Sequence, residues 1–82
     1  MSQILVQLER EEPQLLEDPV PMVQCPGGLI YMVVSNQLSI PVEEMRLEMN
    51  GKEIQHHTTL DFEPTGEADV PPDAALIKVF FK

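Results

Sequence analysis

Residues 40–54 read IPVEEMRLEMNGKEI, and this stretch decides the fold that the sequence predicts. Residues 41–44 have turn and one-turn-helix character, and the alternation of apolar and charged residues over Met45–Met49 is typical of a half-buried strand. Asn50-Gly51 then favours a tight hairpin turn, because both residue types tolerate a positive φ. Residues 52–54 resume as a short partner strand. The stretch therefore predicts a turn followed by a β-hairpin.

Extended segments and a helix flank this hairpin on both sides. QILVQL at residues 3–8 and LIKVFF at residues 76–81 read as strands, and both are strongly apolar. QLLEDPVPMV at residues 14–23 is also extended, but its two prolines lack backbone donors and confine it to a sheet edge. LIYMVVSNQL at residues 29–38 has apolar residues at helical spacing, although its β-branched residues leave a strand as the alternative. Residues 63–73 read as a surface loop.

This order of elements predicts an α+β roll. The first and last strands are apolar enough to be central neighbours in a mixed sheet of about five strands, and the helix packs across one sheet face. A chain of 82 residues, 43% of them hydrophobic, is large enough for one modest core. We therefore expect residues 1–82 to form one domain.

The charge and cysteine content exclude several classes of partner and compartment. Fourteen acidic and five basic residues give a net charge of −9, which argues against nucleic acid or an anionic membrane as partner. The N-terminus has no basic and apolar signal-peptide pattern, and no apolar run reaches the ~20 residues that span a bilayer. A single cysteine rules out an internal disulfide framework. These features predict a cytoplasmic or nuclear protein.

The residues that carry chemistry in other proteins form weak patterns here. His56-His57 has no cysteine cluster near it in sequence, so loop histidines are favoured over a metal site. Cys25 has no neighbouring base and is expected to be a free thiol near the helix start. Glu43-Glu44 is a chance pairing in so acidic a chain, and Gly27-Gly28 lacks the residues of a phosphate-binding loop. We therefore expect no enzyme activity, no cofactor and no metal.

The residues of the opening stretch, and the order of elements around it, resemble ubiquitin and the ubiquitin-like domains. Ile40-Pro41-Val42 is similar to the Ile-Pro-Pro turn after ubiquitin's helix, and Arg46-Leu47, Gly51-Lys52 and Ile54 follow in the same order and spacing. Ser2–Val6 resembles ubiquitin's first strand, and 59–61 its Thr-Leu-Ser turn. The resemblance implies a β-grasp fold. Because the chain ends at Phe80-Phe81-Lys82, without the diglycine that conjugation requires, we expect an interaction domain and not a conjugated modifier.

The same resemblance indicates a protein-binding face on the sheet. Leu47 is predicted to point inward and Glu48 outward, at the place of the central isoleucine in ubiquitin's recognition patch. With Lys78 outward, the last strand places Ile77, Val79 and Phe81 inward and Leu76 and Phe80 outward. The predicted protein-binding residues are Leu5, Arg46, Glu48, Lys78 and Phe80.

An unpaired carboxylate at Glu48 would cost several kcal/mol against an apolar receptor surface, so a receptor that supplies Lys or Arg is expected. The resemblance implies that residues 1–82 are the N-terminal part of a longer protein. It implies a noncatalytic domain that links this parent protein to the ubiquitin–proteasome system and docks through an acidic sheet face onto ubiquitin or a proteasome ubiquitin-receptor subunit. Within this class, the acidity of the chain and Glu48 favour the retroviral-protease-like shuttle proteins, whose ubiquitin-like domains are acidic and in some members bind ubiquitin itself. The alternative is a structural or assembly module of the same fold, such as a Ras-association-like or PB1-like heterodimer partner.

Overall fold

Strands, one α-helix and one 3-10 turn follow one another along residues 3–64 and 71–82, the part of the chain that the computed structural model describes. The helix α1 covers Gly27–Leu38, and the 3-10 turn covers Val42–Glu44. The strands are β1 Gln3–Leu8, β2 Gln14–Leu15, β3 Cys25–Pro26, β4 Met45–Met49, β5 Lys52–Glu53, β6 Thr59–Leu60 and β7 Ala74–Phe81. The described residues therefore form an α+β structure, as predicted.

The main sheet has five strands in the order β2-β1-β7-β4-β5. Its two central strands, β1 and β7, run parallel and place Val6 beside Ile77, whereas the other pairs are antiparallel. The sheet is therefore mixed, and the prediction that the first and last strands are central neighbours is confirmed.

The second strand is shorter than the extended pattern of residues 14–23 predicted. Only Gln14–Leu15 pair with β1, opposite Val6 and Leu5, and β2 lies at the edge of the sheet. Pro19 and Pro21 lie beyond the paired residues, where the missing N–H donors remove no ladder hydrogen bond. The edge position is confirmed, but the predicted length is wrong.

The helix reading of residues 29–38 is confirmed, and the helix begins at Gly27, two residues earlier. A Cβ on Gly27 would lie 1.7 Å from the backbone oxygen of Gln55, so the close approach of two backbones requires glycine. The Gly27 N–H donates to the Thr58 carbonyl at 2.9 Å. Beside this contact, β3 pairs with β6, a two-stranded pairing that the sequence did not predict. The helix ends at Leu38, and its C-cap Ser39 has a left-handed φ of 58°.

The hydrophobic core lies between α1 and one face of the sheet. Its fully buried members include Val6, Leu47, Ile77 and Val79 from the strands. From the helix, Ile30, Tyr31, Val33 and Val34 are buried, whereas Met32 points outward and is 52% exposed. No charged side chain is buried among the described residues, and none of their helices has the length and apolar character needed to cross a membrane.

The hairpin has the predicted turn, but the hydroxyl of Tyr31 bridges its two strands, which was not predicted. Asn50 and Gly51 have φ values of 53° and 81°, as a tight hairpin turn requires. Farther from the turn, the Ile54 N–H donates to the Leu47 carbonyl at 2.8 Å. The return bond is replaced by Tyr31: its hydroxyl accepts from the Leu47 N–H at 3.2 Å and donates to the Ile54 carbonyl at 2.8 Å. The helix is thereby hydrogen-bonded to both sides of the hairpin.

Candidate protein-interaction face

The sheet face opposite α1 collects the five residues that the sequence predicted to bind a partner. Because side chains alternate along a strand, residues paired across neighbouring strands share a face. Arg46 is paired with Phe80 and Glu48 with Lys78, while Leu5 is paired with Leu76 on the other side of β7. We call the following residues the outer face: Leu5, Gln7, Leu15, Arg46, Glu48, Glu53, Leu76, Lys78 and Phe80.

An aromatic–cation contact lies on the β4–β7 half of the outer face. The guanidinium carbon of Arg46 lies 5.1 Å from the centroid of the Phe80 ring. Such a contact contributes about 0.5–1 kcal/mol at an exposed site. Phe80 is partly buried, so its ring is held against the sheet while one part remains accessible. This arrangement gives the face an ordered aromatic group beside a fixed positive charge.

Glu48 is paired within the face itself. The Arg46 Nε lies 3.2 Å from Glu48 Oε2, and the two side chains are 44% and 27% exposed. An ion pair this accessible contributes about 0–1 kcal/mol to stability. Its consequence for recognition is larger, because a partner that covers Glu48 does not leave an uncompensated carboxylate. The sequence predicted that a receptor must supply Lys or Arg opposite Glu48, and the ion pair with Arg46 reduces this need.

The charges around Glu48 alternate in sign. Its cross-strand neighbours are Lys78 on β7 and Glu53 on β5. With Arg46, the four side chains comprise two cations and two anions, so their formal charges cancel. The predicted acidity of the face does not hold for this group of four, although the whole chain carries a charge of −9. Acidic residues elsewhere in the chain must therefore supply any long-range attraction of a basic partner.

The β1–β2 half of the outer face is apolar around Leu5, with Gln7 as its polar member. Leu76 points to this side, as predicted, but it is only 2% exposed and packs with Ala74 and Leu5 in a small second cluster. Leu15 lies opposite Leu5 and is 56% exposed. Leu15 was not among the predicted binding residues, and the register of β1 and β2 places it beside Leu5. Leu5 and Leu15 are thus the apolar side chains that this half offers to a partner.

Phe81 departs from its predicted place in the core. It lies opposite Met45, which is fully buried, so the phase of the strand is as predicted and Ile77 and Val79 are buried. Phe81 itself is 53% exposed because it is the last residue of β7, at the end of the sheet. The predicted alternation is correct, and the inference that Phe81 is buried is wrong.

Cys25 and the pair His56-His57 are the other residues that the sequence offered as candidates for chemistry. Cys25 is fully buried, and burial raises the pKa of its thiol from 9.0, which disfavours the reactive thiolate. The His56 ring stacks on Tyr31, with ring centroids 3.9 Å apart, and lies 6.5 Å from the His57 ring. Within residues 3–64 and 71–82, no three His, Cys, Asp or Glu side chains are grouped as metal ligation requires.

Comparison of the chain with known protein families gives no matching family, and comparison with curated proteins gives no relative. The geometry of the outer face therefore carries the functional argument.

Proposed function

We propose that the chain is a noncatalytic ubiquitin-like interaction domain that binds a partner protein through its outer face. The observation that carries this proposal is the contact between Arg46, Phe80 and Glu48 on an accessible sheet surface. Aromatic and arginine side chains contribute disproportionately to protein interfaces, particularly when neighbouring groups keep them ordered.

The proposed fold is the β-grasp. The strand order β2-β1-β7-β4-β5, with parallel central strands and one helix across a face, is compatible with it. The resemblance of residues 40–54 to ubiquitin supports the same fold and the place of Glu48 on the recognition face, and Phe80 shares that face because it pairs with Arg46. The proposed partner is ubiquitin or a ubiquitin-receptor subunit of the proteasome, and the parent protein is of the shuttle type.

Docking has two components in this proposal. Phe80 and Leu5 lose water against an apolar area of the partner, which provides most of the favourable free energy. Charges of complementary sign on the partner, at the rim of that area and opposite Arg46, Glu48 and Lys78, fix its orientation. The net charge of −9 accelerates encounter with a basic surface, so the association rate falls as salt is added.

Nuclear magnetic resonance titration of the ¹⁵N-labelled chain tests this proposal. Unlabelled ubiquitin and a proteasome ubiquitin-receptor subunit are added separately, to millimolar and micromolar concentrations respectively. We expect the amide signals of Glu48, Lys78 and Phe80 to shift, while those of the exposed helix residues Met32 and Asn36 do not. Absence of shifts on the outer face with both ligands would overturn the proposed partner class.

The assembly-module alternative is supported by exposed Leu15 and its cross-strand neighbour Leu5, which is partly buried; together they could extend a permanent apolar interface. Salt separates the two functions. Transient docking steered by charge weakens markedly between about 20 and 150 mM salt, whereas a permanent apolar interface changes little. A tight complex whose affinity is insensitive to salt would favour the assembly module.

A further inference from the structure

The free edge of β2 is occupied by the side-chain amide of Gln37. Gln37 lies in the last turn of α1, and its Nε2 donates to the Leu15 carbonyl at 3.0 Å. Its Oε1 accepts from the Glu17 N–H at 2.9 Å. The second Nε2 hydrogen is directed to Oε1 of Gln14, also at 3.0 Å. One side chain thus satisfies a donor and an acceptor of the backbone at the edge of the sheet.

These two backbone groups face away from β1. The Leu16 N–H donates to the Ile4 carbonyl, so Leu16 is directed toward β1, and the flanking Leu15 carbonyl and Glu17 N–H are directed toward the opposite side. In a parallel sheet, one residue donates to a neighbouring carbonyl and accepts from the N–H two residues farther along that strand. The Gln37 amide makes the same pair of bonds. It therefore occupies the position of one residue of an added parallel strand.

The surroundings of the edge limit what could pair there. Pro13 and Pro19 have no N–H, so the donors open to a partner come from the residues between them. Residues 11–18 include four acidic residues and no basic residue. A second copy of this edge would be repelled by its own charge, whereas a short extended segment with lysine or arginine would be attracted.

We propose that Gln37 closes the β2 edge of the sheet to strand addition, and that its removal opens this edge to a short, extended, basic segment. The inference goes beyond the proposed function, because it rests on the edge of β2 and on none of the charged or aromatic residues of the outer face.

Binding of a defined peptide to wild type and variants tests the proposal. The probe is a blocked hexapeptide of alternating valine and lysine, and the matched control peptide alternates valine and glutamate. Gln37→Ala removes the bridging amide and retains helix propensity. Asn36→Ala is the control variant, since Asn36 is an exposed amide on the same helix turn. Binding is measured from the Glu17 amide signal during nuclear magnetic resonance titration.

We expect Gln37→Ala to bind the lysine peptide at least about fivefold more tightly than wild type. In the variant the peptide no longer has to displace the hydrogen bonds of the Gln37 amide. Asn36→Ala should bind as wild type does, and the glutamate peptide should bind neither variant. N-methylation of the central residues of the lysine peptide should abolish the gain, because strand pairing requires backbone donors.

Equal binding of the lysine peptide to wild type and Gln37→Ala, including no binding to either, would overturn the proposal. Hydrogen exchange provides a second measurement that does not depend on the peptide. The Glu17 amide should exchange at least about tenfold faster in Gln37→Ala than in Asn36→Ala, because only the former loses its acceptor. If Gln37→Ala does not fold, Gln37→Glu is used, which keeps an acceptor for Glu17 but cannot donate to Leu15. Phe80→Ala should leave every edge result unchanged, so failure here is distinguishable from failure of the proposed function.

Discussion

Removal of the Tyr31 hydroxyl is the sharpest test of how the hairpin is held. Tyr31→Phe retains the ring but deletes the oxygen that accepts from the Leu47 N–H and donates to the Ile54 carbonyl. Both backbone groups lie in the core, and each unsatisfied group costs about 1–3 kcal/mol. Partial closure of the two strands recovers some of this loss, so we expect a destabilisation of about 2–3 kcal/mol. A domain of this size has a total stability of about 4–12 kcal/mol.

Urea unfolding followed by circular dichroism measures this loss. With a denaturant slope of about 1–3 kcal/mol per molar urea, the midpoint should fall by about 0.7–3 M. His56→Ala is the matched control, since it removes the ring stacked 3.9 Å from Tyr31 and leaves the hydroxyl in place. We expect it to cost about 0.5–1 kcal/mol. Hydrogen exchange at the Leu47 amide should accelerate in Tyr31→Phe and not in His56→Ala. A loss of less than about 0.5 kcal/mol in the free energy of unfolding of Tyr31→Phe would refute the bridging role of the hydroxyl.

Three further predictions follow from the backbone and from buried ionisable groups. Gly27→Ala should destabilise the fold by at least about 3 kcal/mol, because its Cβ would lie 1.7 Å from a backbone oxygen. Gly28→Ala, whose Cβ would lie 3.7 Å from the nearest backbone oxygen, should be neutral or stabilising by up to about 1 kcal/mol. Urea unfolding of both variants measures the contrast. Ser39→Gly should raise stability by about 0.5–1 kcal/mol in the same assay, since φ at this residue is 58°. Burial raises the pKa values of Cys25 and Tyr31 above 9.0 and 10.0, so the unfolded state ionises first, and stability should fall as pH rises above about 9. Cys25→Ala should flatten the first part of this fall in a pH series of urea unfolding curves.

The sheet could be predicted largely from local patterns. Alternation over Met45–Met49 and the Asn50-Gly51 turn specify a hairpin within a few residues, and the alternating apolar run of β1 identifies a half-buried strand. The phase of β7 followed from the cost of burying Lys78. Because strand faces are fixed by a period of two, correct phases placed Leu5, Glu48 and Phe80 on one face before any long-range contact was known.

The features that were missed depend on contacts between distant segments. Tyr31 reads as one more helix residue, and its role appears only where its hydroxyl meets a hairpin some 16–23 residues away. Gln37 reads as a surface amide until β2 lies beside the end of the helix. From sequence, Gly27 was considered only as part of a phosphate-binding loop. A glycine is required there because a Cβ would clash with the backbone of Gln55. The internal partner of Glu48 was available from sequence, since Arg46 lies two residues away on the same strand face.

Affinity measurements on two adjacent phenylalanine variants test the docking face most directly. Phe80 and Phe81 are neighbours on β7 but lie opposite Arg46 and Met45, on different faces of the sheet. In calorimetric titrations with ubiquitin or the proteasome receptor subunit that binds, Phe80→Ala should weaken affinity at least about tenfold, the effect of losing an interface anchor, and Phe81→Ala should change it less than about twofold. Equal losses in the two variants, or a larger loss for Phe81→Ala, would contradict docking through the outer face.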